Sequence, residues 1–179
     1  MKVELLHTKE LILLCKKNNQ RAQLELYNRY NKAMYNAVYP ILQDRVLAEE
    51  ATQEGFIIAF RKLNQYQLEN SFGGWLKKIV LRKSYEYYRQ KFKFVPLTEA
   101  SENDQIASET ENNTVLQERK KKLYKALSQL KPSDQILLKL YYLEGYDHEE
   151  LTEILQISHA NCRTRLSRAK NKLTKLLIP

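Results

Sequence analysis

The chain reads as an all-α protein: two small helical domains joined by a flexible acidic linker, the second containing a helix-turn-helix. Three observations predict this. Only four glycines and four prolines punctuate 179 residues, and apolar residues recur at spacings of three and four, with little alternation. The net charge of +9 is unevenly spread. Residues 1–94 hold 17 Lys/Arg against 9 Asp/Glu, residues 95–114 hold five acids and no base, and residues 115–179 hold 13 bases against 7 acids. Finally, LTEASENDQIASETENNT (97–114) is polar, acidic and non-periodic, the composition of a linker. Two basic blocks suit nucleic acid, although a basic surface serves a membrane or an acidic protein equally well.

In chain order, a short helix is expected over residues 8–17, with Thr8 as its cap. A longer one spans 19–42, its buried stripe marked by Leu24, Tyr27, Met34, Val38 and Leu42, with Pro40 set to bend it or end it early. A third runs over 45–63, acids early and bases late as the helix dipole favours. Gly55 in its interior weakens it by about 1 kcal/mol relative to Ala. After a polar loop, Asn64–Asn70, Trp75, Leu76, Ile79 and Val80 give a fourth helix its core side. The rest of that helix interleaves Lys77, Lys78, Arg82, Lys83, Arg89, Lys91 and Lys93 with Tyr85, Tyr87, Tyr88, Phe92 and Phe94. Cations for phosphates and rings for unpaired bases suit single-stranded nucleic acid, but at least half of the tyrosines are expected in the core.

Past the linker, a basic helix runs from Val115 through Leu130, and Pro132-Ser133-Asp134 starts another that stops at Gly145. Asp147 and Glu150 then form a variant capping box ahead of Leu151, Ile154 and Leu155. The last helix starts at Ser158 with an apolar face of Cys162, Leu166, Ala169, Leu173 and Leu176, and its other faces carry six Lys/Arg and no acid. A capped short helix, a turn and a basic amphipathic helix is the geometry that lays a helix in a major groove. An ordinary helical hairpin with a solvated basic face fits the same residues.

Cys15 and Cys162 are too few for a disulfide scaffold and lack metal-ligand spacing. Neither a secretory signal nor a run of the roughly 20 apolar residues needed for a membrane span is legible, so a cytoplasmic protein is expected. No phosphate-binding glycine loop or catalytic triad spacing is present, and His7, His148 and His159 stand apart.

Taken together, LYNRYNKAMYNAVYPILQDRVLAEEATQEGFIIAFRKLNQY, NSFGGWLKKIVLRKSYEYYRQK and ALSQLKPSDQILLKLYYLEGYDHEELTEILQISHANCRTRLSRAKNKL resemble a bacterial RNA polymerase sigma factor of the extracytoplasmic-function type. The resemblance implies a factor without catalytic residues, metal or cofactor that binds core RNA polymerase, directs it to promoters and promotes melting. Residues 1–94 would bind polymerase and the minus-ten element, and 115–179 the minus-thirty-five element. Its partners would be the largest-subunit clamp and the flap of core polymerase, promoter DNA as duplex and melted strand, and an anti-sigma factor. By resemblance, Glu50, Gln53 and Glu54 dock on the clamp. Asn70, Ser71 and Phe72, with Gly73 and Gly74, shape a loop that receives a flipped base, and Lys77, Lys78, Arg82, Lys83 and Arg89 lie along the melted strand. His159, Asn161, Arg163 and Thr164 are placed to reach base edges, and Arg165, Arg168 and Lys172 to reach phosphates.

The sequence departs from the family pattern at three places. Arg82 stands where many relatives have Asn, Gln156 holds a turn position usually given to Gly and would need positive φ, and Ala160-Asn161-Cys162 replaces the usual Gly-Thr-Val. The acidic linker is compatible with a spacer, with folding back on the basic domains, or, by resemblance, with threading the polymerase cleft. Two rival readings are a regulator that binds duplex DNA without polymerase, which leaves the acidic third helix unexplained, and an RNA-binding adaptor, which lacks the usual signatures.

Overall fold

A computed structural model describes residues 3–93 and 114–178, all helices and turns. The chain divides into two compact units, residues 1–100 and 101–179. The linker acids Glu99, Glu102, Asp104, Glu109 and Glu111 lie outside the described residues, as does Phe94.

The first unit holds α1 (Thr8–Lys16), α2 (Gln20–Leu42), α3 (Arg45–Arg61) and α4 (Phe72–Lys93), with 3-10 turns at Val3–Leu5 and Leu63–Gln65. His7, not Thr8, precedes α1, its backbone N–H donating to Glu10 Oε2 at 2.8 Å. The Thr8 hydroxyl instead lies 3.4 Å from that of Tyr30. Asn19 caps α2 by accepting from the Ala22 N–H, and Asp44 caps α3 by accepting from the Leu47 N–H. Pro40 does not end α2 early. The helix continues to Leu42 and closes on Gln43 in the left-handed region.

The core of this unit is α2, α3 and α4 packed on one another, with α1 against α2. On α2 the buried positions are Ala22, Leu26, Met34, Val38 and Leu42, whereas Leu24 is 61% exposed. The stripe therefore runs through Leu26, four residues after Ala22, and Leu24 falls on another face. On α4 Leu76, Val80, Leu81 and Ser84 are buried, together with Tyr85 and Tyr88, so two of its three tyrosines are core residues. Trp75 and Ile79 are only half-buried. Gly55 has a packing reason. A Cβ there would lie 2.7 Å from Val80 Cγ2 and 3.1 Å from Val80 Cα, so α3 and α4 meet at the glycine backbone.

The second unit holds α5 (Thr114–Ser128), α6 (Pro132–Tyr142), α7 (His148–Leu155) and α8 (His159–Leu177), with α5, α6 and α7 all packing on α8. Pro132 opens α6 as expected, but α6 ends at Tyr142 rather than Gly145, whose φ of +74° belongs to the following turn. Leu137, Leu151, Leu155 and Cys162 are fully buried. The apolar face of α8 is shorter than the periodicity predicts. Cys162, Leu166 and Ala169 are buried, Leu173 is half-buried and Leu176 is 41% exposed.

Candidate polymerase and nucleic-acid interfaces

On α3, Glu50 and Gln53 are exposed and one turn apart. Glu54, beside them, is engaged from α4: Lys83 Nζ lies 2.7 Å from its Oε2 and the Tyr87 hydroxyl donates to its Oε1 at 2.9 Å. The Lys83 ammonium, followed by the Tyr87 hydroxyl, holds the Glu54 carboxyl below its ordinary range. Lys83 is raised in turn, chiefly by its bond to Glu54. Between α2 and α3 an open groove of about 280 Å³ is lined by Tyr27, Asn31, Tyr35, Glu49 and Gln53, among others. Glu49 and Tyr35 are surface features that motif matching missed. Their only signal in the sequence is helical spacing from Gln53 and Tyr27.

The segment expected to be a base-receiving loop is partly helical. Phe72, Gly73 and Gly74 form the first turn of α4, which Ser71 caps by accepting the Gly74 N–H at 3.3 Å. Asn70 and Ser71 are exposed, but Phe72 is 4% exposed. Its ring packs edge-on against Tyr30 and Tyr66, with centroids 5.2 and 5.6 Å away, and tilted against Trp75. Phe72 thus forms the floor under the loop, with no face open to a base. Tyr66 closes the loop by donating its hydroxyl to the Asn70 carbonyl. Gly73 allows the close approach of Tyr30, whose ring would stand 3.2 Å from a Cβ there.

Along α4, Arg82 and Arg89 are exposed, and Arg82 lies 3.7 Å from Glu86. Lys77 and Lys78 are half-buried and make interactions of their own. Lys83 is covered by Glu54, by Glu86 at 3.5 Å and by the Tyr87 ring at 5.5 Å.

In the second unit the capping box ahead of α7 forms as the sequence predicts. The Glu150 N–H donates to Asp147 Oδ1 at 2.8 Å and the Asp147 N–H to Glu150 Oε2 at 3.0 Å. Gln156 ends α7 with φ of +51°, the left-handed conformation expected at that turn. Ser158 caps α8 by accepting from the Asn161 N–H. His159, Asn161, Arg163 and Thr164 are all exposed in its first turns, although the Thr164 hydroxyl donates to the Ala160 carbonyl. Arg168 and Lys172 are exposed further along. Arg165 is not a free cation on this face. Its guanidinium lies 3.5 Å from Asp134 and donates to the Ser133 carbonyl at 3.3 Å, tying α8 to the start of α6.

Among the described residues, no group of three His, Cys, Asp or Glu side chains could hold a metal ion, and no helix is long and apolar enough to cross a membrane. Cys15 and Cys162 are buried, and desolvation pushes the Cys15 thiol up to about 11.

Comparison with known proteins places a family on each unit. Residues 26–93 match the family model for sigma-70 region 2, and residues 120–173 that for sigma-70 region 4. The chain is 26% identical over 152 residues to the ECF RNA polymerase sigma factor SigM of Bacillus subtilis, covering 85% of this chain and 93% of that protein. It is 25% identical over 187 residues to SigW of the same organism, covering 94% and 96%. In fold it is similar to the sigma factor RpoE of Bartonella quintana, solved with the anti-sigma factor NepR. The TM-score is 0.53 at 18% identity, covering 86% of this chain and 94% of that one. With one region on each helical unit and full-length similarity to such factors, the chain belongs to the sigma-70 family as a sigma factor of the extracytoplasmic-function type.

Proposed function

We propose that this sigma factor binds core RNA polymerase through α3, directs it to promoters through α8, and assists melting through the start and outer face of α4. The observation that carries the reading is the division of chemistry between the two regions. The region 2 match presents an acid-amide face on Glu50 and Gln53, flanked by Glu54, and the region 4 match presents a capped helix whose first turns expose His159, Asn161, Arg163 and Thr164. Carboxylates and an amide suit a basic clamp surface of the largest subunit, and exposed side chains at the start of a recognition helix suit base edges. The polymerase does the chemistry, and the factor acts in the cytoplasm beside it. The flap of core polymerase and an anti-sigma factor are further partners on this reading. NepR on the Bartonella RpoE is the precedent for the latter.

Promoter reading belongs to Asn161 and Arg163, non-specific affinity to Arg168 and Lys172, and strand contact to Asn70, Ser71, Lys77, Lys78, Arg82 and Arg89, with Phe72 acting from beneath. Asn161→Ala or Arg163→Ala should relax preference at the upstream element by about 1–3 kcal/mol. Arg168→Gln with Lys172→Gln should weaken binding to all sequences and flatten its salt dependence. Arg82→Gln with Arg89→Gln should spare upstream recognition and reduce permanganate reactivity of unpaired thymines. An unchanged permanganate pattern in that last variant, with α8 variants that bind every promoter as wild type does, would refute the assignment.

A further inference from the structure

Lys83 and Tyr87 stand on the strand-facing helix, yet both turn to the acidic motif of α3. Each Glu54 oxygen takes one donor from α4, Lys83 on Oε2 at 2.7 Å and Tyr87 on Oε1 at 2.9 Å. The exposures are unequal. The Lys83 side chain is 21% exposed and the Glu54 side chain 44%, so the ammonium is the covered partner and the carboxylate is the one presented. Lys83 is further enclosed by Glu86 at 3.5 Å and by the face of the Tyr87 ring at 5.5 Å. A cation surrounded by two carboxylates and a ring has its charge compensated before any phosphate arrives. A carboxylate has roughly four acceptor sites, so the two bonds from α4 leave its outer edge able to accept more.

We propose that Tyr87 and Lys83 are positioning residues for polymerase docking, holding the Glu54 carboxylate from α4 in the orientation in which it meets a basic surface of the polymerase. The inference rests on the docking role proposed above for α3. A glutamate fixed in the free protein loses less rotamer freedom on binding, the usual gain from preorganisation. It also removes Lys83 from the strand-contacting set and leaves that role to the exposed Arg82 and Arg89. Tyr87, read in the sequence only as one of the aromatics interleaved with the bases of α4, becomes part of the docking apparatus through its hydroxyl.

The test is a double-mutant cycle on the full chain binding purified core RNA polymerase, with wild type, Tyr87→Phe, Glu54→Gln and the pair. Urea unfolding followed by Trp75, the single tryptophan, is measured beside it. Tyr87→Phe keeps the ring and removes only the donor. It should weaken core binding about three- to tenfold, the range expected for ordering one side chain, and change it less than about twofold in the Glu54→Gln background. Lys83→Gln should behave like Tyr87→Phe. A merely structural tyrosine would lower the urea midpoint and cost the same affinity in both backgrounds, and additive losses of that kind overturn the inference. So does Tyr87→Phe binding as tightly as wild type, or more tightly, while Glu54→Gln binds worse; the docking role of α3 then survives. If Glu54→Gln itself binds as wild type does, Glu54 takes no part in docking and the positioning inference falls with it, whatever Glu50 and Gln53 do.

Discussion

Replacing Gly55 by Ala sets helix propensity against packing. Propensity alone favours Ala by about 1 kcal/mol in a helix interior. Packing opposes it, because the new Cβ would sit 2.7 Å from Val80 Cγ2, 3.1 Å from Val80 Cα and 3.2 Å from Val80 Cβ. A valine side chain in a helix has essentially one χ1 rotamer, so Cγ2 cannot swing aside, and the second contact is backbone. Relief requires α3 and α4 to separate, which forfeits close packing along their length. Overpacking of this kind costs about 1–3 kcal/mol, with the upper part of the range apt when backbone must move. Set against the propensity gain, Gly55→Ala should destabilise the first unit by about 1–2 kcal/mol. Trp75 belongs to that unit and is the only tryptophan, so its fluorescence in urea reports this unit by itself. Val80→Ala removes Cγ2 but leaves Cα in place, so in that background the loss caused by Gly55→Ala should shrink by roughly 1 kcal/mol rather than vanish. A Gly55→Ala protein more stable than wild type, or a loss unchanged by Val80→Ala, would refute the close-approach argument.

Other perturbations follow from single contacts. Gln156→Gly relieves the left-handed conformation at the end of α7 and should stabilise the second unit by about 0.5–1 kcal/mol, seen as slower amide exchange in α7 and α8; faster exchange would contradict it. Arg165→Gln should destabilise that unit by about 1 kcal/mol through loss of its tie to Asp134 and Ser133, while Arg168→Gln lowers DNA affinity at unchanged stability. The Glu54 carboxyl is held below its ordinary value of 4.5, so its contribution is present above that value and is lost as pH falls through the lower folded one. The stability difference between wild type and Glu54→Gln, followed by Trp75 in urea, should therefore be full at neutral pH and disappear on acidification. A difference independent of pH would count against the network.

What is legible in the sequence is what neighbouring residues decide among themselves. The Asp147–Glu150 capping box, the Ser158 cap and the positive φ of Gln156 each involve residues within one turn, and the all-α fold follows from periodicity summed over long segments. Contacts between helices are not legible. Leu24 and Leu26 are both apolar on α2, and only packing with the rest of the unit decides that Leu26 is buried and Leu24 exposed. Leu176 continues the spacing of Leu166 and Leu173 yet is left exposed, because periodicity does not say how far along a helix its neighbours cover it. Gly55 reads as a weakness because Val80 is 25 residues away in sequence. The same distance effect hides the tie between Glu54 and Lys83, the pairing of Arg165 with α6 and the burial of Phe72 among aromatic rings. Charge and spacing identify these side chains as functional candidates; whether a charge is already partnered is a tertiary property.

Transcription reconstituted from core RNA polymerase, this protein and genomic fragments as run-off templates tests directly whether the protein is an initiation factor. Discrete transcripts that require the protein and start from promoters opened at the permanganate-reactive site are expected, and they should disappear with the Glu50→Lys, Glu54→Lys double variant, whose free form loses the Glu54–Lys83 pair but still unfolds cooperatively in urea. Binding to duplex DNA without association with core polymerase and without protein-dependent transcripts would contradict it, and would leave a DNA-binding regulator in place of an initiation factor.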